Sequence, residues 1–167
     1  ARFILILAAN PCPCGRFFGR GRSCECSSLQ VRRYLNKLSG PLIDRMDLRL
    51  VVETPRRSDL ASDAAEEKSE AIRSRIMEAR KRTLERLREY GLTLNSQVPS
   101  NLLRSPLKAE KSAMGHLHSL IDKEAITARG FHKVLRVAWS ISDLRDYDRP
   151  GLEEVEIALA LHAGLRA

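Results

Sequence analysis

FILILAANPCPCGRFFGRGRSCECSSLQVRRYLNKLSGPLIDRMDLRLVV, residues 3–52, is the stretch whose reading decides the fold. It opens with an unbroken apolar run, Phe3–Ala9, that stops at Asn10-Pro11. Continuous apolarity with β-branched and aromatic members fits a strand buried on both faces, as in a parallel sheet. A loop rich in Cys, Gly and Arg follows over residues 10–27. Ser27 or Ser28 is placed to cap a helix to about Leu38, with Leu29, Val31, Tyr34, Leu35 and Leu38 mostly on one side. Ser39-Gly40-Pro41 stops that helix, and Pro41 suits the first residue of another turn. Leu48–Val52 reads as a second, short strand ended by Thr54-Pro55.

Beyond this stretch the pattern turns helical. Residues 55–64 are polar and read as a hinge, and a long helix is expected from Ala65 to about Tyr90. Ile72, Ile76, Ala79, Thr83, Leu84 and Leu87 recur there at helical spacing, with Gly91 as the C-terminal cap. Residues 92–106 read as loop or short turns, and a helix carrying His116 and His118 follows over residues 106–123. In the next helix, 128–144, Phe131, Val134, Leu135, Ala138, Ile141 and Leu144 form one stripe. Residues 147–151 break it, and 152–163 form the last helix. The expected fold class is therefore α/β but predominantly α: two strands and a helix, then a cluster of four helices. The domains are expected at residues 1–55 and 56–167.

Of the 167 residues 43% are hydrophobic and only 5% aromatic, so the core is built mostly of Leu, Ile, Val and Ala. No apolar run is long enough to span a bilayer and no signal-peptide pattern is present, so no membrane partner is expected. The chain starts within two residues of a strand-like run, as a fragment of a longer protein would. A net charge of +8 and a pI near 9.7 favour an anionic partner such as nucleic acid or nucleotide phosphate. Residues 73–88 interleave Arg and Lys with Glu, the pattern of a solvated helix face. Arg16, Arg20 and Arg22 instead share a loop with no acid among them, which makes that loop the better candidate contact.

All four cysteines fall within fifteen positions, as Cys12-Pro-Cys14 and Cys24-Glu-Cys26. A disulfide within Cys-x-Cys closes a strained small ring, and without a secretion signal reduced thiols and a cytoplasmic location are expected. Paired thiolates joined by a spacer that folds back are what tetrahedral Zn²⁺ requires; the alternative is four reduced structural thiols. A metal there would stiffen the loop and project Arg16, Phe17, Phe18, Arg20 and Arg22 toward a DNA strand through phosphate contacts and stacking. Packing of Phe17 and Phe18 as the loop's own core is the competing reading. Asn10 ends the first strand, where parallel sheets place ligands, or else begins an Asx-turn before Pro11. Arg45, between Asp44 and Asp47, is either a surface ion pair or an arginine presented to a phosphate on a neighbouring subunit. Arg129 follows a candidate N-cap, Thr127, where guanidinium and helix terminus together attract an anion; the alternative is a solvated first-turn arginine.

ILAANPCPCG, the Cys-x-Cys pairs, Tyr34 with KLSGPLIDRMDL, and ITARGFHKVLRVAWSISDL together resemble the C-terminal half of the magnesium-chelatase-like AAA+ ATPases, the ComM/YifB family. The resemblance implies the last part of a P-loop ATPase core (1–55) and a helical lid (56–167) from a hexameric ring that uses ATP and Mg²⁺. It also implies a DNA helicase promoting branch migration in natural transformation and recombination. In those terms Asn10 is sensor 1, Arg45 the arginine finger reaching the adjacent protomer, and Arg129 sensor 2 on the lid. The chain has no Gly-x-x-x-x-Gly-Lys-Ser/Thr loop and no strand ending in paired acids, both expected upstream of Ala1; alone it is expected not to hydrolyse ATP. Trp139 stands where the family usually carries an arginine, and Ile157 and His162 replace polar residues, which puts lid-side contacts in question. The competing classes are a non-enzymatic zinc-knuckle module binding nucleic acid, and a motor subunit of a true magnesium chelatase; the four-cysteine loop argues against the second.

Overall fold

Ser27 starts the first helix with a reciprocal cap. Its Oγ accepts the Gln30 N–H at 3.3 Å while the Gln30 side chain accepts the Ser27 N–H at 2.8 Å. Helix α1 (Ser28–Leu35) follows, and the Gly40-Pro41 turn opens the short α2 (Gly40–Ile43). The computed structural model describes residues 4–17, 23–38, 40–52 and 67–164, so the 55–64 hinge lies outside the described residues. These residues divide into two compact units. One takes those within Ala1–Arg45 together with Val52; the other takes Met46–Val51 and those within Ala64–Ala167.

The two runs expected as strands form no ladder among the described residues. Ile4 and Ile6 are 89% and 87% exposed, and Leu50 and Val52 are 71% and 84% exposed. A strand holds its shape through ladder hydrogen bonds to a neighbouring strand, and no described segment lies alongside either run as one. Helical character therefore predominates more fully than the sequence suggests.

The helical unit builds its own core. Helix α3 (Ser69–Leu87) runs into a 3₁₀ turn at Arg88–Tyr90 and ends at Gly91, whose φ of 64° is the left-handed cap that glycine adopts without strain. A 3₁₀ turn at Asn95–Gln97 and α4 (Ser100–Arg104) lead to α5 (Lys111–Asp122), α6 (Ala128–Arg145) and α7 (Leu152–Ala163). Helix α6 is the centre, packing on α3, α4, α5, α7 and the Asn95–Gln97 turn. Its stripe of Phe131, Val134, Leu135, Ala138 and Trp139 meets Leu87, Val98, Leu103, Leu107, Leu117 and Val155. Trp139 belongs to this core: it is 3% exposed and its Nε1 donates to the Leu107 carbonyl at 2.8 Å. Among the described residues no helix is long and apolar enough to cross a membrane.

Candidate metal centre and arginine sites

Cys12-Pro13-Cys14-Gly15 folds as a turn in which the Gly15 N–H donates to the Cys12 carbonyl at 3.0 Å. Proline at the second position presets the turn, and Gly15 leaves it at φ 73°, a value costly for any residue with a Cβ. The turn puts two sulfurs on one side, and Cys24 and Cys26 return opposite them. Cys12 Sγ lies 3.3 Å from Cys14 Sγ and 3.7 Å from Cys24 Sγ, and Cys14 lies 3.6 Å from Cys24. All four sulfurs lie within 4.8 Å of one another. Zinc–sulfur bonds of about 2.3 Å arranged tetrahedrally set sulfurs about 3.8 Å apart, so the four thiols fit one Zn²⁺ with little movement.

The electrostatics fit the same occupant. The Arg16 backbone N–H, with help from the Cys12 side chain, draws the Cys14 thiol down to about 6. Burial pushes Cys24 up to about 12, and Cys26 is also raised despite an N–H from Cys14. Cys14 is thus drawn toward the thiolate, and a bound cation would offset what holds Cys24 and Cys26 up. Four thiolate ligands leave no open coordination position, so such a site supports the loop rather than performing chemistry.

Arg16 is exposed and pairs with Glu25 at 3.5 Å, an interaction that contributes little in water. Arg20 and Arg22, like Phe18, lie outside the described residues. Phe17 is half exposed and lines a shallow groove with Val31, Arg32 and Leu35. Asn10 is exposed beside the cysteine turn, its Nδ2 3.6 Å from where a Cβ on Gly15 would stand. Arg45 is exposed just past α2 and its Nη1 donates to the Pro41 carbonyl at 2.8 Å. Asp47 faces Lys133 at 3.5 Å. Arg129 is exposed in the first turn of α6, where the Thr127 Oγ1 accepts the Gly130 N–H at 3.0 Å. The four cysteines are thus brought together, whereas Asn10 and Arg45 fall in one unit and Arg129 in the other.

Two polar clusters in the helical unit went unread in the sequence. Asp143, 2% exposed, accepts from Thr83 Oγ1 at 2.6 Å, Asn95 Nδ2 at 2.9 Å and both η nitrogens of Arg86, whose guanidinium lies 4.1 Å over the Trp139 ring. Lys133, 7% exposed, reaches the Met46 carbonyl at 3.1 Å. The residue types alone, an acid and a lysine, give no sign of burial. Only their place on the buried side of α6, visible from the stripe's periodicity, signalled otherwise.

The family described as magnesium chelatase, subunit ChlI C-terminal, matches residues 66–162, and that described as magnesium chelatase, subunit ChlI, matches residues 1–60. An uncharacterised protein of Mycobacterium tuberculosis is 40% identical over 160 residues, covering 96% of this chain and 31% of that protein. The uncharacterised protein YifB of Escherichia coli is 31% identical over 98% of this chain and 31% of its own length. The competence protein ComM of Haemophilus influenzae is 32% identical over 87% of this chain and 28% of its own length. The chain thus spans about a third of the length of the curated relatives it matches. With both family matches laid end to end over the cysteine turn, the Arg45 segment and the Arg129 helix, the chain belongs to the magnesium-chelatase-like ComM/YifB family and forms a C-terminal, predominantly helical part of such an AAA+ protein.

Proposed function

We propose that this chain is the C-terminal part of an ATP-driven AAA+ motor that acts on DNA in recombination and natural transformation. In this reading residues 1–55 complete an ATPase core and 56–167 form its lid, in a hexameric cytoplasmic ring. Asn10 orients the attacking water as sensor 1, Arg45 reaches the nucleotide of the adjacent subunit, and Arg129 contacts the nucleotide of its own. Cys12, Cys14, Cys24 and Cys26 hold Zn²⁺, and the loop they close presents Arg16, Arg20 and Arg22 to the DNA backbone. ATP and Mg²⁺ supply the phosphoryl chemistry when bound; this chain's part is to place two guanidiniums and an amide around the phosphates.

The observation that carries the reading is the pairing of the family match with an arginine, Arg45, whose exposed side chain is directed by a helix-end carbonyl rather than buried in the chain's own core. One relative, ComM of Haemophilus influenzae, is a competence protein, which supports this reading. The test uses the intact protein that carries this chain. DNA-stimulated ATP hydrolysis is expected, and Arg45→Ala is expected to lower turnover by about 10³-fold, the usual worth of an arginine finger. Full turnover by Arg45→Ala refutes the finger. DNA affinity that survives Arg45→Ala with no ATP hydrolysis at all, yet collapses on chelation, supports the zinc-module reading that the thiol cage favours.

A further inference from the structure

Lys133 is a buried cation in the second turn of α6. Its ammonium donates to the Met46 carbonyl at 3.1 Å and lies 3.5 Å from the Asp47 carboxylate. A buried ammonium persists where oxygen atoms replace its water, and these oxygens belong to a segment far away in sequence. That segment is fastened a second time. The Arg49 N–H donates to the Leu161 carbonyl at 2.8 Å, and Arg49 Nε donates to the His162 carbonyl at 2.5 Å. Both carbonyls lie in the last turn of α7, where helices leave acceptors unfilled and favour a cation. Residues 46–49 are thereby strapped to the helical unit at both ends.

The strap's neighbours in the chain give it meaning. Arg45 immediately precedes it, and Arg129 lies one helical turn before Lys133 on α6. We infer that Lys133 and Arg49 are positioning residues for Arg45: their strap ties the arginine offered to a neighbouring subunit to the helix that carries Arg129. Nucleotide binding sensed by Arg129 in one subunit then shifts α6, and the strap hands that shift to Arg45. The inference rests on the roles proposed above for those two arginines. Helix α6 is capped by Thr127 and held by core contacts from Phe131 to Trp139. The strap has hydrogen bonds into both α6 and α7. Met46, which Lys133 holds, is bonded directly to Arg45 in the chain.

The experiment uses the intact protein with saturating DNA. Lys133→Met keeps the aliphatic stem and removes the donor; Arg49→Gln, at a half-exposed position, probes the other fastening if the first variant fails to fold. Each is expected to lower kcat about tenfold or more with KM for ATP changed less than about twofold, and to cause no further loss in an Arg45→Ala background. Hydrogen exchange of peptides covering 46–51 is expected to respond to a non-hydrolysable ATP analogue in the wild type and not in Lys133→Met. Unchanged kcat in both strap variants, while Arg45→Ala alone is inactive, overturns the inference and leaves the finger intact. Additive losses in the double variants overturn it as well. Full turnover by Arg45→Ala overturns the finger reading and this inference with it.

Discussion

Asp143→Leu is expected to destabilise the helical unit by about 3–5 kcal/mol, because it strips the counter-charge from a buried guanidinium. Asp143 is 2% exposed and Arg86 is 17% exposed at the side chain, so water cannot compensate the loss. What Arg86 keeps is one hydrogen bond to Asn95 Oδ1 at 2.9 Å and the Trp139 face at 4.1 Å. Neither contact supplies a negative charge, so the guanidinium stays buried without a counter-ion. The double variant Arg86→Met/Asp143→Leu removes both charges, and the acceptor that loses Arg86, Asn95 Oδ1, is neutral and costs less to leave unpaired than a bare guanidinium. Thr83 still donates to the Ala79 carbonyl at 3.1 Å, and Asn95 Nδ2 still reaches Ser140 Oγ at 3.1 Å. It is therefore expected to be more stable than Asp143→Leu alone. The chain's single tryptophan, Trp139, reports on this site directly, so thermal unfolding followed by its emission is the assay. At about 4–8 °C per kcal/mol for a unit of this size, Asp143→Leu should lower Tm by at least about 12 °C. A drop under about 4 °C, or a double variant less stable than the single, would refute the reasoning.

Three further outcomes follow from local geometry. Burial, joined by Arg136 and Arg104, holds His132 below its ordinary 6.5. The unfolded chain therefore takes up a proton that folded His132 resists, so stability is full above about pH 6.5 and falls as pH drops toward 5. His132→Gln should flatten that slope in Tm between pH 7.5 and 5; equal slopes refute it. Glu154, 4% exposed at the side chain, accepts from Arg145 at 2.7 Å and from the Gly151 N–H at 3.0 Å, capping α7. Glu154→Ala should cost about 1–3 kcal/mol by denaturant unfolding, whereas Glu153→Ala, on the same arginine but 69% exposed, should cost about 0.5 kcal/mol or less. A Cβ on Gly130 would stand 3.1 Å from His162 Nε2, so Gly130→Ala should shift the His162 ring resonances and lower Tm, and an unchanged spectrum would count against this packing.

The helices were legible because their apolar periodicity, caps and breakers agree: Thr127 and Gly91 cap where the pattern says they should. The stripe on α3 was legible only in part. Ala79, Thr83 and Leu87 are buried, but Ile76 and Leu84 are 43% and 47% exposed, because only one edge of that helix meets α6. Val98 and Leu103 are buried although they lie in the 92–106 stretch that reads as loop, and Leu107 is buried in a turn ahead of a helix expected from 106 that begins at Lys111. Short turns carry core residues without any period to betray them. The cysteine cage was legible from clustering alone, since Cys-Pro-Cys-Gly specifies a turn that aims two sulfurs together. The strap was not: one Lys–carbonyl contact across 87 positions leaves no pattern in sequence. Strand character failed for a related reason, since a strand is a property of a pair and its partner's sequence is not in the run.

The two units differ in what can hold them together, and this yields a last prediction. The helical unit buries a continuous set of Leu, Val, Phe and Trp side chains around α6. In the other unit, among the described residues, Cys12 is the one buried apolar side chain, while Ile4, Ile6, Leu29 and Leu35 stay exposed. Apolar burial supplies little order to residues 10–17 and 23–27, and four thiols closing on Zn²⁺ would supply it. Protein purified under reducing conditions should carry about one equivalent of zinc, and Cys14→Ser should lower its affinity more than about tenfold. On chelation, hydrogen exchange should accelerate in peptides from 10–17 and 23–27, while the melting followed at Trp139 stays where it was. Retention of less than about half an equivalent, or chelation that lowers the Trp139 transition and spares the loop, would remove the metal from the account of this fold.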